Sequence, residues 1–370
     1  MFARVFNVLR RVESNTVGPS CVWLRRAASV TILQLVVALA AILGAAFLFT
    51  NAVEMLGERL NLGSGAVGSV LAAVGTALPE TMIPVIALVG AALAGESASS
   101  AAGEIGVGAI LGAPFLLATL AMFVVGAGIL GFRGRRENGT DLVIEKRTAR
   151  RDVVFFLIFF ALAAGAGLVA LPTYVKIVVG IVLVAAYIFY VYRTLVAGGE
   201  SLGETPEDLT LWPESKWGRA PTWAVVAQLL GTLVVMGVGA HIFVRGVEHA
   251  SESLGIPAGL ISLVLAPLAT ELPEKFNSVI WLREDKDTLA FGNITGAMVF
   301  QSTLPVSLGL LFTRWELGFL EALSAGLALA SGVVLLLFLL RKTPLHAWQM
   351  LGAGSLYLVF LAAAFYEVAL

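Results

Sequence analysis

Two glutamates, each one residue after a proline, occupy matched places inside stretches that are otherwise apolar. Gly75-Thr76-Ala77-Leu78-Pro79-Glu80 recurs 194 positions later as Ala269-Thr270-Glu271-Leu272-Pro273-Glu274. A carboxylate in hydrocarbon is costly and marks an ion or proton path. Proline has no backbone N–H and clashes with the preceding turn, so it releases carbonyls from the helical ladder, here near Gly75–Thr76 and Ala269–Thr270. Lipid cannot satisfy those carbonyls, whereas a bound cation or a water-lined cavity can. Glu80 and Glu274, with carbonyls and hydroxyls beside them, form an all-oxygen set suited to a hard divalent metal cation such as Ca2+, which takes roughly six to eight such ligands in irregular geometry. The competing reading is a packing kink with a snorkelling acid. Both acids lie deep in their stretches and in register, which favours the ion site.

The elements that hold these residues are membrane spans. Of the 370 residues, 58% are hydrophobic and 13% charged, and the mean hydropathy is +0.91. Such a chain has lipid as its main solvent. One cysteine excludes an internal disulfide, and three scattered histidines are too few for a soft-metal site. The basic residues sit in short loops without a nucleic-acid signature, no P-loop for a nucleotide is present, and no cofactor is implied. The expected partners are inorganic cations and the bilayer.

Apolar runs place ten spans, near 29–50, 65–94, 101–131, 152–170, 173–197, 222–246, 256–282, 288–313, 316–340 and 345–368. The fold class is therefore an all-α polytopic membrane protein. Residues 1–28 are a basic N-terminal segment, 29–197 a first five-helix repeat, 198–221 a polar linker and 222–370 a second five-helix repeat. The duplication extends beyond the hexapeptide. At the same offset Glu54 pairs with Glu248 and Glu58 with Glu252, and eight of the sixteen positions from Gly65 to Glu80 are identical. At a shorter offset, Gly108-Ala109-Ile110-Leu111-Gly112-Ala113 answers Gly292-Asn293-Ile294-Thr295-Gly296-Ala297. The glycines in both runs have the spacing that lets helices approach closely.

Five spans per half make the halves enter the bilayer from opposite sides, an inverted repeat with its binding site near the midplane. Segments 51–64, 132–151, 198–221, 283–287 and 341–344 fall on one side and hold 14 Lys and Arg, against about 7 on the other. The positive-inside rule then puts the 132–151 and 198–221 loops in the cytoplasm and both termini outside, in a cell membrane or a prokaryotic inner membrane. The basic segment 1–28 opposes this rule. It is an over-long start, a disordered tail or a surface-lying helix, and its apolar stretch is too short for a secretory signal.

The two hexapeptides resemble the G-T-S-L-P-E signatures of the alpha repeats in the calcium/cation antiporter superfamily, which includes the sodium/calcium exchangers. The run at 292–297 is similar to that family's G-N-x-x-G-S motif. The resemblance covers residues 44–115 and 238–303 by motif. It implies Ca2+ held by Glu80 and Glu274, with oxygen ligands from Thr76 and Thr270. The family's serine is Ala77 in the first hexapeptide and Glu271 in the second. The first half has also lost the motif's Asn and Ser, and the second keeps Asn293 but has Ala297. The resemblance assigns those hydroxyls and amides to Na+, so their loss leaves the counter-ion open between Na+ and H+.

Glu271 lies one turn before Lys275, in the favourable orientation for an i, i+4 ion pair. Either this pair replaces a coupling-ion site, or Lys275 snorkels to an aqueous vestibule and Glu271 neutralises it. Glu104, at the start of the third span, is a charge-compensating candidate or a helix-end acid facing water. Asn293 needs a partner inside its span. The expectation is a secondary cation antiporter, exchanging Ca2+ for Na+ or H+ by alternating access. The alternatives are a proton-coupled exchanger of another cation and an intramembrane acid-dyad hydrolase.

Overall fold

The computed structural model describes residues 19–59, 72–93, 101–169, 171–196, 209–212 and 218–369. The first half contains α1 (Pro19–Arg59), α2 (Ala72–Leu93), α3 (Ala101–Ala118), α4 (Leu120–Phe132), β1 (Asp141–Leu142), α5 (Lys146–Leu168) and α6 (Thr173–Val196). The second contains α7 (Thr222–Leu254), α8 (Ala258–Arg283), α9 (Asp287–Gln301), α10 (Leu304–Phe312), α11 (Phe319–Leu339), β2 (Leu345–His346), α12 (Ala347–Gly354) and α13 (Leu356–Ala369). The protein is all-helical and polytopic. Eight helices or in-line helix pairs among the described residues are long and apolar enough to cross a bilayer. The shorter apolar stretches Glu80–Gly90 and Ala258–Leu268 lie in α2 and α8, within the expected spans 65–94 and 256–282. In α8 the apolar run is cut by the hexapeptide's own charges. Helix α1 starts at Pro19, ten residues before the span read from the sequence at 29.

The proline effect falls in an unexpected place. Helices α2 and α8 continue through Pro79, Pro84, Pro267 and Pro273, so the hexapeptides do not break their helices. The interruptions lie one span later, at Thr119 (φ −116°, ψ −83°) and Thr303 (φ −119°, ψ −73°). These two threonines correspond at the offset that aligns Gly108 with Gly292. The hydroxyl of Thr119 donates to the Phe115 carbonyl and that of Thr303 to the Val299 carbonyl, four residues back in each case. Such back-bonding competes with the backbone ladder and bends helices.

The helices pack in pairs that exchange between the halves. Helix α1 runs along α7 and α5 along α11; the α5–α9 contact is answered by α11–α3, and α6–α10 by α12–α4. Gly255 closes α7 with a left-handed φ of 63°, and Pro257 starts α8 two residues on, so α8 turns straight back into the core. It then lies against α3 along a glycine seam. A Cβ on Gly108 would stand 2.2 Å from the Gly259 carbonyl oxygen, and one on Gly112 would stand 2.2 Å from that of Leu263. Only backbone-to-backbone contact fits there.

On one side, three loops join. Strands β1 and β2 pair antiparallel, Asp141 opposite His346. Arg136, buried, makes a bidentate pair with Asp287, Nη1–Oδ1 at 2.7 Å and Nη2–Oδ2 at 2.8 Å. The 132–151, 283–287 and 341–346 segments thus sit together, as the charge count groups them. Segment 51–59 is also joined to 209–212 and 218–221, by Arg59 on the Ala220 carbonyl and by Asn51 Oδ1 accepting from the Thr210 amide at 2.9 Å.

The seam makes a stability prediction. Gly112→Ala is expected to destabilise the protein by about 1–3 kcal/mol, as overpacking does. Gly131→Ala, where an added Cβ meets no atom within 4 Å, is expected to be neutral or stabilising. Melting midpoints in detergent check this; equal midpoints for the two variants would rule the seam out as a constraint.

Candidate cation site

Helix α8 carries Ser262, Thr270, Glu271, Lys275 and Ser278, all 1% exposed or less. Glu271, Lys275 and Ser278 form one inward stripe, because residues three and four apart share a helix face, while Ser262 lies on the opposite face, toward α3. Each is tied to named neighbours. Ser262 Oγ donates to the Ile105 carbonyl of α3 at 2.8 Å, and Thr270 Oγ1 to the Ala266 carbonyl at 3.0 Å. Lys275 Nζ lies 3.4 Å from Glu271 Oε2. Gln301 Nε2, at the end of α9, donates to Glu271 Oε1 at 3.0 Å. Lower on the same pair of helices, Asn293 Nδ2 donates to Ser278 Oγ at 3.3 Å. The expected Glu271–Lys275 pair therefore exists and is enclosed. Lys275 does not snorkel, because its ammonium is held inside by a carboxylate on its own helix.

Glu80, on α2, is 7% exposed and is followed by the buried face of Ile83 and Ala87. The side chains of Thr76 and Glu274 lie outside the described residues; by register Glu274 is one turn beyond Glu271 on α8. Glu104 is exposed in the first turn of α3. It lies beside Gly259, in the first turn of α8, where an anion is favoured by the helix N-terminus.

Two buried charge centres escaped the sequence reading. Asp152, 2% exposed on α5, accepts from Thr295 Oγ1 of α9 at 3.0 Å and from Tyr190 Oη of α6 at 3.0 Å. Arg151 Nε and Nη2 both reach its Oδ1 at 3.2 Å. An acid in the first turns of a span was the available signal, masked by its place at the predicted boundary. Arg136 read as one more charge in an arginine-rich loop. It instead holds Asp287 of α9, with Gly139, Asp141 and Leu282 carbonyls completing its hydrogen bonds, and the Val143 amide donates to Asp287 Oδ2 at 2.9 Å.

These observations place a buried polar core of carboxylates, amides and hydroxyls on α2, α8 and α9, inside a bundle of membrane-spanning helices. The profile of the family described as sodium/calcium exchanger protein matches residues 30–196 and 224–366. The chain belongs to that family. The matched stretches leave out the linker between the two helical sets. The family is one of exchangers, which sets aside the acid-dyad hydrolase. An uncharacterized membrane protein of Methanocaldococcus jannaschii is 22% identical over 84% of this chain and 90% of its own. A crystal structure of an H+/Ca2+ exchanger superposes with a TM-score of 0.68 at 18% identity, covering 99% of this chain and 91% of that one. A sodium-calcium exchanger soaked with Na+ and Sr2+ gives 0.55 at 19% identity, covering 90% and 98%. The fold is shared by exchangers with different counter-ions, so it does not choose between them.

Removing Arg136 from its enclosed pair leaves Asp287 buried without its cation, which costs about 3–5 kcal/mol for such pairs. Arg136→Met is expected to show that loss in detergent unfolding, and Arg136→Met/Asp287→Leu to recover most of it. Equal stability of Arg136→Met and the unaltered protein would refute the pairing.

Proposed function

We propose that this member of the exchanger family is a secondary active antiporter that exchanges Ca2+ for Na+ or H+ around Glu80 and Glu274. The observation that carries this reading is the enclosed polar stripe of α8 facing α9, with the buried Glu80 on neighbouring α2. In a bilayer interior such polar groups mark a substrate path. Thr76 and Thr270 add oxygen ligands, Asn293 borders the same face, and Glu271 with Lys275 sets the local charge. Two carboxylates match a divalent cation, and competition for the same carboxylates by the counter-ion couples the two fluxes without ATP. The ten spans form two inverted five-helix repeats, 29–197 and 222–370. The pairing of α1 with α7 supports their moving together across the core during alternating access. Both termini lie outside, and the 132–151 and 198–221 loops are cytoplasmic. Glu104, at the N-terminus of α8, compensates charge at one mouth.

A second reading is a proton-coupled exchanger of another cation. It is favoured by the absence, at 77, 113 and 297, of the hydroxyls the family motif carries.

Purified protein in proteoliposomes is expected to take up Ca2+ under an imposed pH or Na+ gradient, each tested alone. Glu80→Gln and Glu274→Gln are each expected to reduce that uptake by more than about 100-fold, beyond the loss typical of groups outside the coordination sphere. Uptake that survives both substitutions would remove the site. Absence of Ca2+ uptake under either gradient would remove the substrate.

A further inference from the structure

Three residues that meet in the second half have no counterpart of their kind in the first. At the repeat offsets, Glu271 answers Ala77, Lys275 answers Thr81 and Gln301 answers Leu117. The acid, the ammonium and the amide therefore occur as a set, on one side of the duplication only. One carboxylate faces both of the others. Glu271 presents Oε1 to the Gln301 amide at 3.0 Å and Oε2 to the Lys275 ammonium at 3.4 Å, and the Glu271 and Lys275 side chains are each 1% exposed.

We propose that Lys275 is a tethered counter-ion: its ammonium occupies, against Glu271, the position a mobile monovalent cation would take. This deepens the antiporter reading and rests on it for its role in transport. A carboxylate sealed from water must either take up a proton or be paired with a positive charge. When the chain itself supplies that charge, no monovalent cation is needed to neutralise Glu271. Lys275 is then a specificity-determining residue. It makes the protein indifferent to Na+ at this position and limits the mobile-ion sites to the pair of glutamates. A lysine serves here because its ammonium is compact, on a stem long enough to reach back one turn. Gln301 positions Glu271 by holding the oxygen the ammonium leaves free.

The test is a gain of ion dependence. Thermal unfolding in detergent is measured in choline chloride, LiCl, NaCl and KCl at equal ionic strength. The unaltered protein is expected to show at most the shift that Na+ binding at Glu80 and Glu274 gives, a shift common to every variant. Lys275→Ala exposes Glu271 to a mobile ion and is expected to melt about 3 °C or more higher in NaCl or LiCl than in choline, rising with concentration as for any ligand of the native state. Glu271→Gln/Lys275→Met, which removes both charges, is expected to show no cation effect beyond that of the unaltered protein. The inference is overturned if Lys275→Ala folds and ignores every cation, or folds in none of them with methylammonium included. It is equally overturned if the neutral double variant responds like Lys275→Ala, or if Na+ stabilises the unaltered protein to the same degree. None of these readouts requires Ca2+. A protein that failed to transport Ca2+ would thus overturn the antiporter reading while leaving the tethered cation measurable.

Discussion

A polar group inside hydrocarbon has no water to fall back on, so its partners must come from the protein. The described core is arranged around that condition. Glu271 binds α9 through Gln301, Ser262 binds α3, and Ser278 receives Asn293. Asp152 gathers α5, α6 and α9 at one point. Lipid tails are as apolar as leucine, so apolar contact alone does not select one helix neighbour over another. The polar contacts and the glycine seam supply that selection. The positions that hold the helices in register are therefore the same ones that could contact an ion.

What the sequence made legible follows from the same physics. Charges stand out in apolar runs, which exposes the spans, the duplicated hexapeptide and Glu80. The Glu271–Lys275 pair was legible because both partners lie on one helix at a fixed spacing. Gln301 as the partner of Glu271 was not, since that contact spans two helices and depends on how α9 packs. Asp152 and Arg136 looked like boundary charges, and nothing local distinguishes a loop arginine that folds inward from one that stays in solvent. The helix interruptions misled for a different reason. Proline marks a missing donor, yet α2 and α8 absorb theirs, while Thr119 and Thr303 break helices by redirecting a hydroxyl to the backbone.

Thr119 and Thr303, which match at the sequence offset, interrupt helices in both halves, and helix contacts cross from each half to the other. The acid–ammonium–amide set appears in one half alone. Matched interruptions thus coexist with an asymmetric charge arrangement.

The seam between α3 and α8 has a consequence for how such a protein changes over time. Where Gly108 and Gly112 meet the Gly259 and Leu263 carbonyls, the surfaces in contact are largely peptide groups, joined at Gly112 by the Pro267 ring, and peptide groups are the same whatever the side chains nearby. Substitutions around them can alter charge, size and ligand set without moving the helices apart. Only a side chain placed on the seam itself would do that. Drift in the residues around the seam is therefore mechanically uncoupled from drift in the joint.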